Sequence, residues 1–445
     1  MNTSENANKQ NQRKPLRLWP GVVIVLLQWF LRFGLPVFIP DAIIIGVFGA
    51  LILGLAIIVW WAFFSRAPRF ERWSAIVMMI IALIVTSLFI DKSIATSMMG
   101  MMFAVYSIPI LCLAFILWAV ACSNLPDKPR RAIMFATIFI SVGFWVCLRS
   151  NGMYGDVHFD LGWRWAKTSE ELFISKQNEE LIIIPFDSTF MTKEAEWSGF
   201  RGNQRDGIVH GVKIGTDWVK SPPVEVWRRP VGPGCSSFAV QGNLLYTQEQ
   251  RGEYEMVTCY LLNSGEPVWR HSDSTRFWDS HAGAGPRSTP ALSHGRVYAL
   301  GATGILNALD ARTGAVVWSR NAAKEAKVKI PGWGYSGSPL VDDSIVFVAI
   351  AGKLIAYNVA TGKQSWSGTD GGESYSSTHL MTINGIKQVV FMSNEGTTGF
   401  EPTHGTVLWK HQGSGARIVQ PASVSESDIL VDQGDRKGIQ RITFK

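Results

Sequence analysis

One phrase, written four times in the C-terminal half, constrains this chain more than any other feature. The copies are Leu262–Trp269, Leu309–Trp318, Tyr357–Trp366 and Phe400–Trp409. Each ends in Gly-x-x-x-Trp, with glycine at 265, 314, 362 and 405 and tryptophan at 269, 318, 366 and 409. Successive tryptophans lie 49, 48 and 43 residues apart. Such a period, filled with β-branched runs and turn residues, is that of a propeller blade. Four matches in register exclude coincidence among 18 tryptophans. Gly265, Gly314, Gly362 and Gly405 suit a turn position of positive φ. Trp269, Trp318, Trp366 and Trp409 each bring a large apolar surface and one N–H, enough to bind one blade to the next.

Each unit divides into four short strands. In the second these are Ser288–Leu292, Arg296–Leu300, Ile305–Leu309 and Val316–Trp318, separated by polar or glycine-bearing breaks. First strands begin near Ser236, Arg287, Ser336, Ser376 and Val419, giving about five four-stranded blades. The fifth stops without a Gly-x-x-x-Trp strand. Upstream, Val224–Arg229 is a spare strand carrying Trp227, 42 residues before Trp269. Either it completes the last blade and closes the ring, or the domain is an incomplete arc.

Leu309-Asp310-Ala311-Arg312-Thr313-Gly314-Ala315-Val316-Val317-Trp318 resembles the pyrroloquinoline-quinone (PQQ) repeat. That blade motif belongs to quinoprotein dehydrogenases and BamB-type outer-membrane assembly lipoproteins. Trp197-Ser198-Gly199-Phe200-Arg201-Gly202-Asn203-Gln204-Arg205-Asp206-Gly207 is similar to the lead-in segment of exported or membrane-anchored PQQ-like propellers. The resemblance covers roughly residues 195–445 and implies an all-β propeller; it does not imply an activity.

Residues 18–150 are a different material. Apolar runs at Leu18–Ile39, Ala42–Phe64, Ser74–Ile90, Met98–Cys122 and Ala132–Leu148 are each long enough to cross hydrocarbon as a helix. Lys9, Arg13, Lys14 and Arg17 precede the first run. Arg66, Arg69 and Arg72 part the second from the third, and Lys128, Arg130 and Arg131 part the fourth from the fifth. The alternate loops hold only Asp41 in one and Asp91 with Lys92 in the other. This positive-inside alternation predicts a bacterial inner-membrane protein whose N-terminus is cytoplasmic and whose propeller is periplasmic. Residues 1–131 hold 12 Lys and Arg against 5 Asp and Glu, and the remainder holds 30 of each. The basic balance is therefore a topology signal and no footprint for nucleic acid. Arg32, inside the first run, reads as a side chain snorkelling to the outer surface, with a headgroup or quinone contact as the alternative.

The domains expected are a basic tail (1–17), a five-span bundle (18–150), a juxtamembrane connector (151–196) and the propeller (197–445). In the connector, Trp163-Arg164-Trp165 reads as an interfacial anchor. Thr168-Ser169-Glu170-Glu171 has capping-box spacing, and Leu181–Ile184 reads as an extra strand. Cys235 and Cys259 fall on non-adjacent strands, so no disulfide is expected between them. No Cys-x-x-Cys-His excludes covalent haem, and no His/Cys cluster has zinc spacing.

Five spans before a PQQ-repeat propeller is the layout of membrane-bound quinoprotein glucose dehydrogenase. That resemblance implies PQQ and calcium as cofactors, with electrons passing to a membrane quinone. No motif here matches that enzyme's active-site residues one by one. A site, if present, belongs on the loops joining fourth to first strands. There Trp278, Trp333 and Tyr335 could stack on a planar ligand, Tyr375 is a further ligand-binding candidate, Arg287 or Arg417 could pair a carboxylate, and Asp279, His281 or Glu373 could act as base. The reading preferred is a membrane-anchored binding module without a cofactor, holding an envelope protein or polymer; the alternative is the dehydrogenase.

Overall fold

The computed structural model describes residues 16–153, 159–176, 181–183, 194–413, 418–432 and 438–445. The chain divides into two compact units, one ending at Ala166 and one beginning at Lys167.

In the first unit five helices are long and apolar enough to cross a membrane: Trp19–Phe38, Pro40–Phe63, Arg69–Ser87, Met102–Ala121 and Asp127–Cys147. The third and fifth begin earlier than the apolar runs do. Pro68 and Pro126 stand at their N-caps, with Glu71 and Asp127 in the first turns facing the helix dipole. Glu71 is fully buried and pairs with Arg130 at 3.3 Å, so the basic loop residues are partly neutralised inside the bundle. A hairpin, β1 (Leu148–Met153) with β2 (Phe159–Trp163), follows the last helix. Trp163 stacks on Trp165 at 5.2 Å and both rings are exposed.

In the second unit the capping box forms at Thr168 and Glu171 and opens the helix Ser169–Ser175. Four four-stranded antiparallel sheets and one three-stranded sheet follow in chain order. They comprise β3 (Ala239–Gln241), β4 (Leu244–Arg251), β5 (Tyr254–Leu261) and β6 (Pro267–Asp273). After the small hairpin β7 (Trp278–Asp279) and β8 (Gly283–Ala284) come β9 (Ala291–Ser293), β10 (Arg296–Leu300), β11 (Ile305–Asp310) and β12 (Val316–Asn321). The third blade is β13 (Leu340–Asp342), β14 (Ile345–Ile350), β15 (Lys353–Asn358) and β16 (Gln364–Ser367). The fourth is β17 (His379–Ile383), β18 (Ile386–Ser393), β19 (Gly396–Phe400) and β20 (Val407–Gln412). The last has only β21 (Ala422–Ser423), β22 (Asp428–Asp432) and β23 (Ile439–Thr443).

The apolar core lies between sheets, as radial stacking demands. Tyr246, Cys259 and Trp269 of the first blade meet Leu292, Val297 and Leu309 of the second, and three further clusters fill the later seams. The repeated phrase builds these seams. Each turn glycine has φ between 66° and 73°. Each carbonyl three residues before it accepts the indole N–H of the previous unit: Trp227 to Leu262 at 2.9 Å, Trp269 to Ala311 at 3.0 Å, Trp318 to Val359 at 2.8 Å and Trp366 to Pro402 at 2.8 Å. A β-bulge before each blade tryptophan sets it opposite a small residue on the third strand: Cys259, Ala308, Ala356 or Gly399. Trp409 differs, donating to Gln388 of its own blade and lying 4.9 Å from Phe444.

Four readings need correction. First strands begin three or four residues later than expected, because the residues before them bond to the neighbouring blade instead; Thr289 N–H, for example, donates to Ser338 Oγ at 3.0 Å. Val224–Arg229 joins no sheet, although Trp227 docks on the first blade; among the described residues the last sheet has three strands, as the incomplete-arc alternative expects. Leu181–Ile183 forms no strand, and Ile184 lies outside the described residues. Arg32 is buried, not snorkelling: only 8% is exposed, and its guanidinium lies over Tyr106 and Phe33. Cys235 and Cys259 are free thiols, as expected.

Candidate functional site

The loops between blades carry the candidate residues, and the structure sorts them into three groups. Asp279 and Arg287 form an internal ion pair at 2.6 Å, each under a tenth exposed. The second oxygen of Asp279 accepts the His281 and Ala282 N–H groups at 2.7 and 3.0 Å. Arg287 also donates to the Gly283 carbonyl and packs over Phe277. These two side chains brace the loop around the β7–β8 hairpin, where Trp278 is half-buried. Tyr335 belongs to the core, 1% exposed, with its hydroxyl donating to Lys329 O. Arg417 lies outside the described residues.

The third group gathers around the exposed Trp333. Trp333, 41% exposed, sits 4.9 Å from Tyr375 with rings tilted by 35°, and 6.1 Å edge-on from His281. One residue from each of three successive interblade loops builds a continuous aromatic strip. Glu373 is exposed two residues from Tyr375, and Ile330, 46% exposed, precedes Trp333 on its loop. Aromatic rings held this way offer large contact area at small entropic cost. Beyond it, a crevice of about 300 Å³ opens between the third and fourth blades, floored by Phe391 and Phe400 and rimmed by Thr397, Thr398, Lys410 and His411.

PQQ and calcium fit this loop face poorly. Calcium needs several free hard oxygen ligands converging on one point. Asp279 has both oxygens engaged, and no group of three or more His, Cys, Asp or Glu among the described residues could hold a metal ion.

Two further features were not assigned a role from sequence. The first is the lead-in segment, which runs along the inner first strands of all five blades. Trp197 pairs with Val240 of the first blade, and Ser198 O accepts from Leu292 N of the second at 2.7 Å. Arg205, 6% exposed, donates to the carbonyls of Ser338 and Pro339 before the third and Thr378 before the fourth. His379 bonds Gln204 O, and Gln420, before the fifth blade, donates to Arg205 O at 3.2 Å. Burial pushes the Arg205 guanidinium down to about 9, leaving it ionised at neutral pH. Its signal in the sequence is the lead-in motif itself.

The second is Glu255, 4% exposed in the seam between the first two blades, accepting from Ala302 N at 2.8 Å. It stands opposite Asp273 on the paired strand. Burial, with the Asp273 charge adding to it, pushes Glu255 up to about 7 from an ordinary 4.5. A raised carboxylate makes the folded state hold its proton longer, so stability present below pH 4.5 falls as pH rises towards 7. Glu255→Gln is therefore expected to match the parent near pH 4.5 and to exceed it by up to about 3 kcal/mol above pH 7. Urea denaturation of the detergent-solubilised chain at both pH values checks this; parallel pH profiles for the two proteins would refute it.

Comparison with known proteins agrees with the repeat architecture. Residues 223–330 and 302–437 match the family model described as outer membrane protein assembly factor BamB. The BamB of Xanthomonas campestris is 35% identical over 101 residues, 20% of this chain and 24% of that protein. The BamB of Shewanella oneidensis is 34% identical over 108 residues, covering 23% and 25%. Tetrathionate hydrolase of Acidithiobacillus ferrooxidans is 31% identical over 159 residues, covering 32% and 30%. The chain thus spans about a quarter to a third of the length of these curated relatives. Among solved structures, BamB from Moraxella catarrhalis overlaps 48% of this chain and 76% of its own at 22% identity and a TM-score of 0.29. A europium-containing methanol dehydrogenase overlaps 48% and 52% at 13% identity and a TM-score of 0.36. Residues 223–437 are a BamB-like domain of PQQ-type repeats.

Proposed function

We propose that this BamB-like repeat arc is a membrane-anchored binding module that holds an envelope protein against the strip formed by His281, Trp333 and Tyr375. The observation carrying this reading is that strip, exposed at Trp333 and shared by three consecutive blade loops, beside carboxylate and guanidinium groups already paired internally. The names of the two BamB relatives, outer membrane protein assembly factors, support a protein partner. The five apolar helices within 18–150 serve as the anchor in the bacterial inner membrane. Their alternating loop charge puts the N-terminus in the cytoplasm and the arc, 197–445, outside. The dehydrogenase alternative is not favoured, since Asp279 is braced by Arg287 and no group of acidic, His or Cys side chains among the described residues could hold calcium.

Site-specific photo-crosslinking from position 281 in intact cells tests the reading. One envelope protein should be captured, and the double variant Trp333→Ala, Tyr375→Ala should weaken its binding by about 30-fold or more while leaving the melting temperature unchanged. Stoichiometric uptake of PQQ with calcium, accompanied by dye reduction with sugars or alcohols, would overturn it. A reporter active only in the periplasm, fused after Lys445, should be active if the orientation is right.

A further inference from the structure

We propose that the helical unit binds the phosphate of an anionic phospholipid at Arg32. The inference rests on the reading that this unit spans a membrane. Arg32 sits in a π-helical turn, Phe30–Gly34, in the last third of the first span. A π turn adds a residue to the helical circuit and re-aims its side chains, and such turns recur at binding sites. Here Arg32 faces inward, its guanidinium 4.6 Å from the Tyr106 ring and 5.0 Å from the Phe33 ring. The second span comes close at the same level: a Cβ on Gly46 would lie 2.6 Å from Leu31 O, so the backbones leave the cation little freedom.

The rings offer quadrupole attraction but no counter-charge. No carboxylate among the described residues lies within ion-pair distance of Arg32. Asp91, in a loop beyond the same end of the bundle, is engaged by Ser93 N–H and by Arg164 at 3.6 Å. Arg32 Nε, the fully buried Ser107 Oγ beside Tyr106, and Gln28 Oε1 one turn back in the first span all lack a hydrogen-bond partner. A cation in apolar surroundings demands an anion, and a phosphodiester supplies one full charge with oxygens matched to the guanidinium fork. Its oxygens would accept from the Arg32 guanidinium.

The surroundings favour a lipid over a partner's acidic helix. The helix surface around Arg32 is made of outward apolar side chains, Phe30 at 51%, Val37 at 76% and Phe38 at 77% exposed, suited to acyl chains. Arg32 stands six residues before Phe38, about 9 Å along the axis from the span's end, a depth that local thinning brings to the headgroup layer.

Native mass spectrometry of the full chain, released from detergent after exchange into phosphatidylglycerol or phosphatidylcholine, tests the site. The parent should retain one phosphatidylglycerol, and Arg32→Gln should retain it at least about tenfold less. Arg32→Lys, which keeps the charge without the fork, should fall between them and guards against misfolding of the glutamine variant. Millimolar inorganic phosphate should not displace the lipid; displacement would assign the site to a free anion and overturn the lipid source. Equal retention by parent and Arg32→Gln, or an acidic membrane protein held in the lipid's place, would overturn the proposal. Carbonate extraction separates the two layers of the argument. A parent that stays in the membrane while lipid retention ignores Arg32 sinks only the lipid site, whereas a parent that is extracted sinks the anchor reading.

Discussion

Arg205→Met is expected to lower the stability of the repeat unit by about 3–5 kcal/mol, as removing one partner of a buried charged network does. The guanidinium donates to carbonyls on the approaches to two different blades, and its own carbonyl holds Gln420 before a third. Methionine keeps much of the volume but leaves those buried carbonyls without donors, each a desolvation penalty of about 1–3 kcal/mol. Lysine keeps the charge yet offers one ammonium where a planar fork reaches divergent acceptors, so Arg205→Lys should lose roughly half as much. Chemical denaturation followed by tryptophan fluorescence measures both. Limited proteolysis should then cut between Trp197 and Pro223 in the methionine variant, because the lead-in segment loses its hold on the inner strands. A methionine variant as stable as the parent would show that the segment only rests against the blades.

Gly314→Val should be at least as damaging. Its φ of 72° is one that β-branched residues resist, and a Cβ there would lie 2.5 Å from the Trp269 ring. Strain and collision act together, and neither relaxes without opening the seam. Trp318→Ala, which empties the next seam instead, is expected to cost about 3–5 kcal/mol. Trp227→Ala is the informative control. Its indole makes the same hydrogen bond, to Leu262 O, but its strand has no sheet and it is more exposed than Trp318. The loss there should stay under about 2 kcal/mol. Thermal melts of the three variants rank the seams; equal losses at Trp227 and Trp318 would contradict the interblade account.

The fold was legible because the repeat carries its own physics. A glycine of positive φ, a carbonyl three residues earlier and an indole one blade back form a local device, spelled out at fixed spacing. Even the small residue opposite each tryptophan has a signal, since Cys259, Ala308, Ala356 and Gly399 each precede their tryptophan by ten positions. The five long apolar helices were legible for the same reason, because length and hydropathy are properties of contiguous residues. The candidate site was only half legible. Trp333 and Tyr375 could be named as aromatic loop residues, but their approach to His281 depends on how three loops converge. Asp279 and Arg287 looked available because eight residues of separation say nothing about a turn that folds one onto the other.

Composition, period and charge order by themselves determined a helical, strongly apolar first part and a stack of radially arranged sheets after it. Those are sums over near neighbours, and near neighbours are what a sequence lists. Only the tertiary structure decided that Val224–Arg229 stays out of the last sheet, that Arg205 ties the inner strands, and that Arg32 turns inward against Tyr106. Each joins residues far apart along the chain, at separations where burial and steric fit decide which partner a group finds.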